Sequence, residues 1–335
     1  MPRLLRLLRV RSRESRCPHR GSGGDLRLGQ RQIRQGENTD EHVRRTCEDG
    51  RRRSRGDSCS AGHRGQPAGC DRGRSSTSIG WRYGTQFAEP FNTRDIKKNI
   101  FNLTHVSGYT CGTNFFNVDA LFSDGADPKN ARSSEGTQEA YIVYRHTFDL
   151  NKITGADLKF GPVRGVGFTL GFDVNAKNDV GYNSARRMIV AGPTLKFNVS
   201  GFLDVSLLQL WESNAPCNTS NTPTSCVARY SYDPHPMLSV VWGIPVGSLP
   251  LSFEGYANFI AAKGRNEFGA ETAAETNIDM MLMLDVGAAT GYRKGVFKVG
   301  LEYQYWKNKF GNNASGPAGS GAFAKTPMIR AQYCF

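Results

Sequence analysis

Residues 327–335, the last nine of the chain, read PMIRAQYCF. Ile329, Ala331, Tyr333 and Phe335 alternate with Arg330, Gln332 and Cys334. A period of two is the mark of a strand with one apolar and one polar face. A strand that runs to an aromatic last residue needs a neighbour on each side, or it presents an open edge. The rest of the chain therefore has to supply a first strand that closes against the last one.

The same alternation recurs upstream. Trp81, Tyr83, Thr85 and Phe87 alternate with Arg82, Gly84 and Gln86, and Phe168, Leu170, Phe172 and Val174 with Thr169, Gly171, Asp173 and Asn175. Leu251, Phe253, Ala257 and Phe259 stand against Ser252, Glu254, Tyr256 and Asn258, and Phe297, Val299, Leu301, Tyr303 and Tyr305 against Lys298, Glu302 and Gln304. The pattern predicts twelve strands, at 78–87, 99–105, 112–122, 138–148, 166–175, 187–198, 202–211, 237–244, 250–261, 277–289, 295–306 and 326–335. Most have about 10 residues, the length a tilted strand needs to cross a bilayer. No run of 18 apolar residues is present, so a membrane helix is not expected.

The links between these strands alternate in length. Long ones such as ESNAPCNTSNTPTS and NKFGNNASGPAGSG are rich in Asn, Ser, Gly and Pro, while short ones such as TGYRKG are turns. Outer-membrane barrels pair tight periplasmic turns with long external loops in this way. On this reading 88–98 is a long link, and 149–165, placed where a tight turn belongs, is too long.

The polar face carries Arg82, Asp119, Arg145, Asp173, Lys196, Asp204, Glu254, Asp285, Lys298, Glu302 and Arg330. A dry core does not tolerate so many charges, which excludes a soluble sandwich or lipocalin-like barrel with an apolar interior. The expected fold is all-β: a 12-stranded antiparallel transmembrane β-barrel over residues 76–335, apolar outside and charged within. Outer-membrane lipids are then its solvent, and the bacterial cell outer membrane is its location.

Residues 1–75 are different. Residues 1–74 hold 19 Arg, no Lys and 9 Asp plus Glu, and the first aromatic residue of the chain is Trp81. Such a segment cannot build a packed core and is expected to be disordered. Its lack of Lys is unlike a nucleic-acid arm, which uses both cations, so nucleic acid is not an expected partner. A basic targeting helix at MPRLLRLLRV is a weaker reading, and no secretory signal is visible. The composition fits a mis-assigned start in a G/C-rich gene. Of the cysteines after residue 74, Cys217 and Cys226 stand close together in a polar stretch, and the sequence leaves open whether they are bonded.

WRYGTQFAEPFN, FNLTHVSGYTCGTNFFNVDALFSD, EAYIVYRHTFDLNKITGADLKFGPVRGVGFTLGFDVN and the closing AQYCF resemble the nucleoside-specific channel (Tsx-like) family of outer-membrane proteins. The resemblance covers about 78–335. It implies a twelve-stranded monomeric channel for small solutes, nucleosides in the best-known members, with a narrow lumen of aromatic and ionisable residues, and a C-terminal strand read by barrel-assembly machinery.

A nucleoside path needs aromatic faces for the base and polar groups for the ribose. By alternation, Phe115, Asp119, Tyr141, Arg145, Glu254 and Tyr256 face inward and are the expected solute path. The rival from another class is a 12-stranded outer-membrane lipid hydrolase, which needs a Ser nucleophile beside a His base held by a third group. His105, His146, Ser123, Ser206 and Ser239 are available, but no G-x-S-x-G elbow is present. No catalytic activity, metal or cofactor is expected. GFDVNAKNDVG, residues 171–181, lacks calcium-loop spacing and reads as a solvated external loop.

Overall fold

In the computed structural model the described residues are 75–130, 134–220 and 224–335. The expectation for residues 1–75 lies outside them, except that Ser75 opens the first strand.

The last strand does close the structure. Numbering the long strands in chain order, β1 is Ser75–Glu89 and β12 is Phe323–Cys334, and the two pair antiparallel from Ser78↔Cys334 to Gly84↔Met328. Between them lie β2 (Asn92–Tyr109), β3 (Gly112–Ser123), β4 (Gln138–Asp149), β5 (Val163–Lys177) and β6 (Ala185–Phe197). The second half is β7 (Phe202–Asn214), β8 (His235–Pro245), β9 (Leu251–Ile260), β10 (Glu275–Asp285) and β11 (Phe297–Lys307). Each strand pairs antiparallel with the next, so among the described residues twelve strands form one closed barrel.

The phase of the alternation is inside-out. Leu301, Ile189, Leu207, Phe101, Ile329 and Phe335 stand exposed on the outer wall. On the opposite parity Asp173, Glu302, Lys298 and Asp279 are buried. Closure leaves the sheet no open edge, and an apolar outer belt suits hydrocarbon. The chain is thus a transmembrane barrel of the bacterial outer membrane. Among the described residues no helix is long and apolar enough to cross a membrane.

Both chain ends of the barrel, Ser75 and Phe335, lie at one end with the links after β2, β4, β6, β8 and β10. We call this the turn end. The loops 124–137, 178–184, 215–234, 261–274 and 308–322 crown the other, the loop end. The expected long link at 88–98 is not there: β1 and β2 run on to a turn of only Pro90 and Phe91. The reason is local. Phe87, Ile96, Ile100 and Met328 form an apolar cluster inside the barrel, so this stretch alternates in the opposite phase to the rest.

The overlong link 149–165 is compacted by a short helix, α1 (Leu150–Thr154). Asp149 caps it by accepting from the Lys152 amide, Gly155 ends it at φ 74°, and Asn151 Oδ1 accepts from the Val166 amide at 2.9 Å. A second helix, α2 (Val286–Thr290), makes the same kind of turn after β10, with Asp285 as its cap. Strand β5 contains the expected strand 166–175 and runs on to Lys177, so the external loop read at 171–181 begins only at 178, and Asp173, Asn175 and Lys177 point inward. Cys217 and Cys226 are joined as a disulfide across a two-residue ladder in the loop after β7.

Candidate functional site

The register fixes which side chains share the lumen. At mid-barrel Arg82 on β1 pairs with Asp119 on β3 at 2.6 Å and with Glu302 on β11 at 2.9 Å. Arg330 on β12 reaches the second oxygen of Glu302 at 2.9 Å. Asp279 on β10 stands opposite Tyr256 on β9 and is 2% exposed. Tyr256 lies within electrostatic reach of Asp279, Arg82, Asp119 and Glu302.

On the other wall Tyr141 donates to Asp173 Oδ2 at 2.8 Å, and Arg145 pairs with the other oxygen. Tyr141 is also within electrostatic reach of Tyr256. Strands β4 and β9 are not neighbours in the sheet, so these two phenols face each other across the lumen. Asp119, Tyr141, Arg145 and Tyr256, four of the residues expected on the solute path, are thereby brought to one level.

The other two sit nearer the turn end. Glu254 accepts from Lys298 at 3.0 Å and from Ser252 at 2.5 Å. Phe115 is cross-strand to Arg145 and 38% exposed, although its parity is inward. Val241, opposite Asp204 and Tyr256 in the register, is 40% exposed on the same face. These two inward side chains therefore border accessible space in the lumen.

A row of hydroxyls crosses four strands: Thr147 to Thr169 at 2.9 Å, Thr169 to Thr194 at 2.6 Å, and Thr194 to Ser206 at 2.8 Å. Sequence reading missed it, because no single strand carries more than one member. The parity of Thr169 against Phe168 and Leu170 was the available signal.

Toward the loop end the lumen tightens. Glu89 accepts from Lys98 at 2.6 Å and pairs with Lys309 at 3.1 Å and Lys177 at 3.5 Å; Lys177 also holds Asp127 and Asp179 at 2.9 and 3.0 Å. A second knot is centred on Glu212, which takes Lys263 and Arg186, both at 2.9 Å. Burial pushes the Lys263 ammonium below its usual range, with Arg186 adding to the effect, and burial does the same to Lys309.

Above these knots the loops meet on one carboxylate. Tyr232 donates to Glu267 Oε2 at 2.6 Å, Tyr182 donates to Oε1, and Asn214 donates to the Tyr182 hydroxyl at 2.7 Å. Glu267→Ala removes an anchor shared by the loops 178–184, 215–234 and 261–274. Losing about 1 kcal/mol of hydrogen bonding raises the open population about fivefold. Limited trypsin digestion of vesicle-reconstituted protein should show that increase as faster cleavage after the exposed Arg265.

Several buried polar atoms of the lumen have no hydrogen-bond partner. They include the donors Arg82 Nε and Arg330 Nε and the acceptors Asn102 Oδ1, Asn258 Oδ1, Asn277 Oδ1 and Asp279 Oδ1. Native proteins leave few such groups unpaired.

The histidines named for the hydrolase rival are on the outer wall near the turn end. His105 Nδ1 is 2.8 Å from Thr77 Oγ1. His146 has Asn114 Oδ1 at 2.6 Å on one ring nitrogen and the Tyr109 phenol at 2.7 Å on the other. Asn114 also donates to Ser107 at 3.4 Å. The hydroxyl that His146 meets is therefore a phenol, and Ser123, Ser206 and Ser239 are on the inward face, away from both histidines. Among the described residues no group of three or more His, Cys, Asp or Glu is set to hold a metal ion.

No family model matches the chain, the nucleoside-channel family included, and no curated protein matches it. Solved barrels do align. The KdgM porin is 10% identical over 77% of this chain and 99% of its own, with a TM-score of 0.38. The translocator domain of the autotransporter NalP from Neisseria meningitidis is 11% identical over 78% and 88%, with a TM-score of 0.40. OccK10 from Pseudomonas aeruginosa is 11% identical over 78% and 99%, with a TM-score of 0.29. The barrel assignment rests on this chain's own strand pairing and inside-out polarity.

Proposed function

We propose that the chain is a narrow outer-membrane channel for passive diffusion of small polar solutes. The observation that carries this reading is the contrast of faces: a lipid-facing exterior around an interior of charges, hydroxyls and two opposed tyrosines. A barrel built only as an anchor has no need of such an interior. The unpartnered donors and acceptors favour a solute that offers both, as hydroxyl groups do. Nucleosides are the finer reading. They draw on the sequence resemblance and on the inward aromatics Phe115, Tyr141 and Tyr256, with Asp119, Arg145 and Glu254 to meet the ribose. The unbroken apolar belt suits a monomer, and the strand ending in Phe335 is the element that barrel-assembly machinery would engage.

The test is conductance in planar bilayers. Ohmic current steps are expected, with reversible block by adenosine or thymidine. A stacked base is worth about 1–3 kcal/mol per aromatic side chain, so Phe115→Ala and Tyr256→Ala should each weaken nucleoside block at least about fivefold. Absence of any current would sink the channel reading. Current insensitive to both nucleosides and both substitutions would sink only the nucleoside one.

A further inference from the structure

Among the described strands the outer wall carries charge at one end only, and apart from Asp95 that charge is basic. Strands β11, β12, β1 and β2 lie side by side. Lys307 on β11 is opposite Phe323, and Lys325 on β12 is opposite Tyr305, so both lysines share the outward face with those aromatics. Lys97 on β2 adjoins the inward Lys98 and points outward by parity. All three lysines are exposed. None has an ion-pair partner among the described residues; Lys325 rests over the Phe323 ring at 4.5 Å. Asp95, two residues nearer the loop end than Lys97, is the one outward carboxylate on these strands.

The lysines are set among aromatic rings: Tyr305, opposite Lys325, packs edge-on against Phe323, opposite Lys307, at 5.0 Å. Aromatic belts mark the level of the lipid headgroups. The turn ends of the same four strands present Phe297, Tyr333, Ile79 and Leu103, with no charge. The asymmetry therefore follows the leaflets, and the long loops assign the lysine end to the outer one.

From this we propose that Lys97, Lys307 and Lys325 form a docking stripe for an outer-leaflet glycolipid whose headgroup carries two phosphates. Neighbouring strands are about 4.8 Å apart, so three spacings from β2 to β11 put the stripe at about 15 Å. That length suits two anionic groups on a disaccharide better than one phosphodiester. Unpaired cations at headgroup level have anionic lipid as their natural partner, at about fivefold in affinity for each lysine near such a surface. Thr85 on β1 lies on the same exposed outer face as Lys97 and supplies a hydroxyl donor.

The experiment is retention of a diphosphorylated glucosamine-disaccharide lipid by full-length protein folded in neutral detergent, read by native mass spectrometry. Wild type should hold it in preference to phosphatidylglycerol and to phosphatidylcholine. Lys97→Gln, Lys307→Gln and Lys325→Gln together should weaken retention by about 100-fold. Lys152→Gln with Lys159→Gln, at the turn end, should leave it unchanged. All the proteins carry the same Arg-rich residues 1–74, so only the differences between them report on the stripe. Heat-modifiable migration on gels, retained in each variant, shows that the barrel is folded. Equal retention by wild type and triple variant would overturn the proposal, and so would equal retention of phosphatidylcholine. Preference for phosphatidylglycerol would replace the diphosphorylated ligand by a simple anionic lipid and overturn the assignment to one headgroup.

Discussion

Leu301→Arg is expected to destabilise the barrel by about 2–4 kcal/mol in a phospholipid bilayer, the cost of a cation on a lipid face near the midplane. Leu301 is 65% exposed and sits near the centre of β11, with Leu282 and Ile329 beside it on the outer wall. In a water-soluble barrel the same change would put a charge on a wet surface, where substitutions usually stay within about 0.5 kcal/mol. The measurement is urea unfolding of the protein folded into phospholipid vesicles, followed by tryptophan fluorescence. A midpoint unchanged within error would mean that Leu301 does not meet hydrocarbon, and the inside-out geometry would fall with it. As an internal control, Lys307→Gln, three turns of alternation away at headgroup level, should cost almost nothing.

That geometry was legible in the sequence because it is a local property. Strand parity places Phe172 and Asp173, or Leu301 and Glu302, on opposite faces whatever the rest of the chain does. The closing strand was legible for the same reason, since Ile329, Ala331 and Tyr333 alternate to the last residues. The error at 88–98 arose where parity reverses: Ile96 and Ile100 are apolar yet face inward, held by Phe87 and Met328 from neighbouring strands. No local rule shows that. The end of β5 was harder to place: Asp173 lies inside the expected strand 166–175, but Lys177 looks like a loop residue until Asp127, from the loop 124–137, is placed beside it. Of the solute path, inwardness could be read but not partnership. Asp119 with Arg82, and Tyr141 facing Tyr256, depend on which strands the closed sheet brings together. The three-loop junction at Glu267 and the hydroxyl row through Thr194 are long-range in the same sense.

Glu302→Leu should be strongly damaging. Its two oxygens hold Arg82 and Arg330, each at 2.9 Å, and its side chain has no exposed surface. Removing one partner of a buried ion pair costs about 3–5 kcal/mol, because a charge is left without compensation. Here two guanidiniums lose a partner: Arg82 keeps Asp119 at 2.6 Å, whereas among the described residues Arg330 has no second ion pair and keeps only the longer-range attraction of the buried Asp279. The cost should therefore fall mainly on Arg330. A double-mutant cycle separates the terms: Arg330→Met in the Glu302→Leu background is expected to recover a large part of the loss, since an apolar replacement of a whole buried pair is often neutral. Vesicle unfolding midpoints for the four proteins supply the cycle. Strict additivity of the two single changes would show that Glu302 and Arg330 do not interact, and the mid-lumen network described above would have to be redrawn without that link.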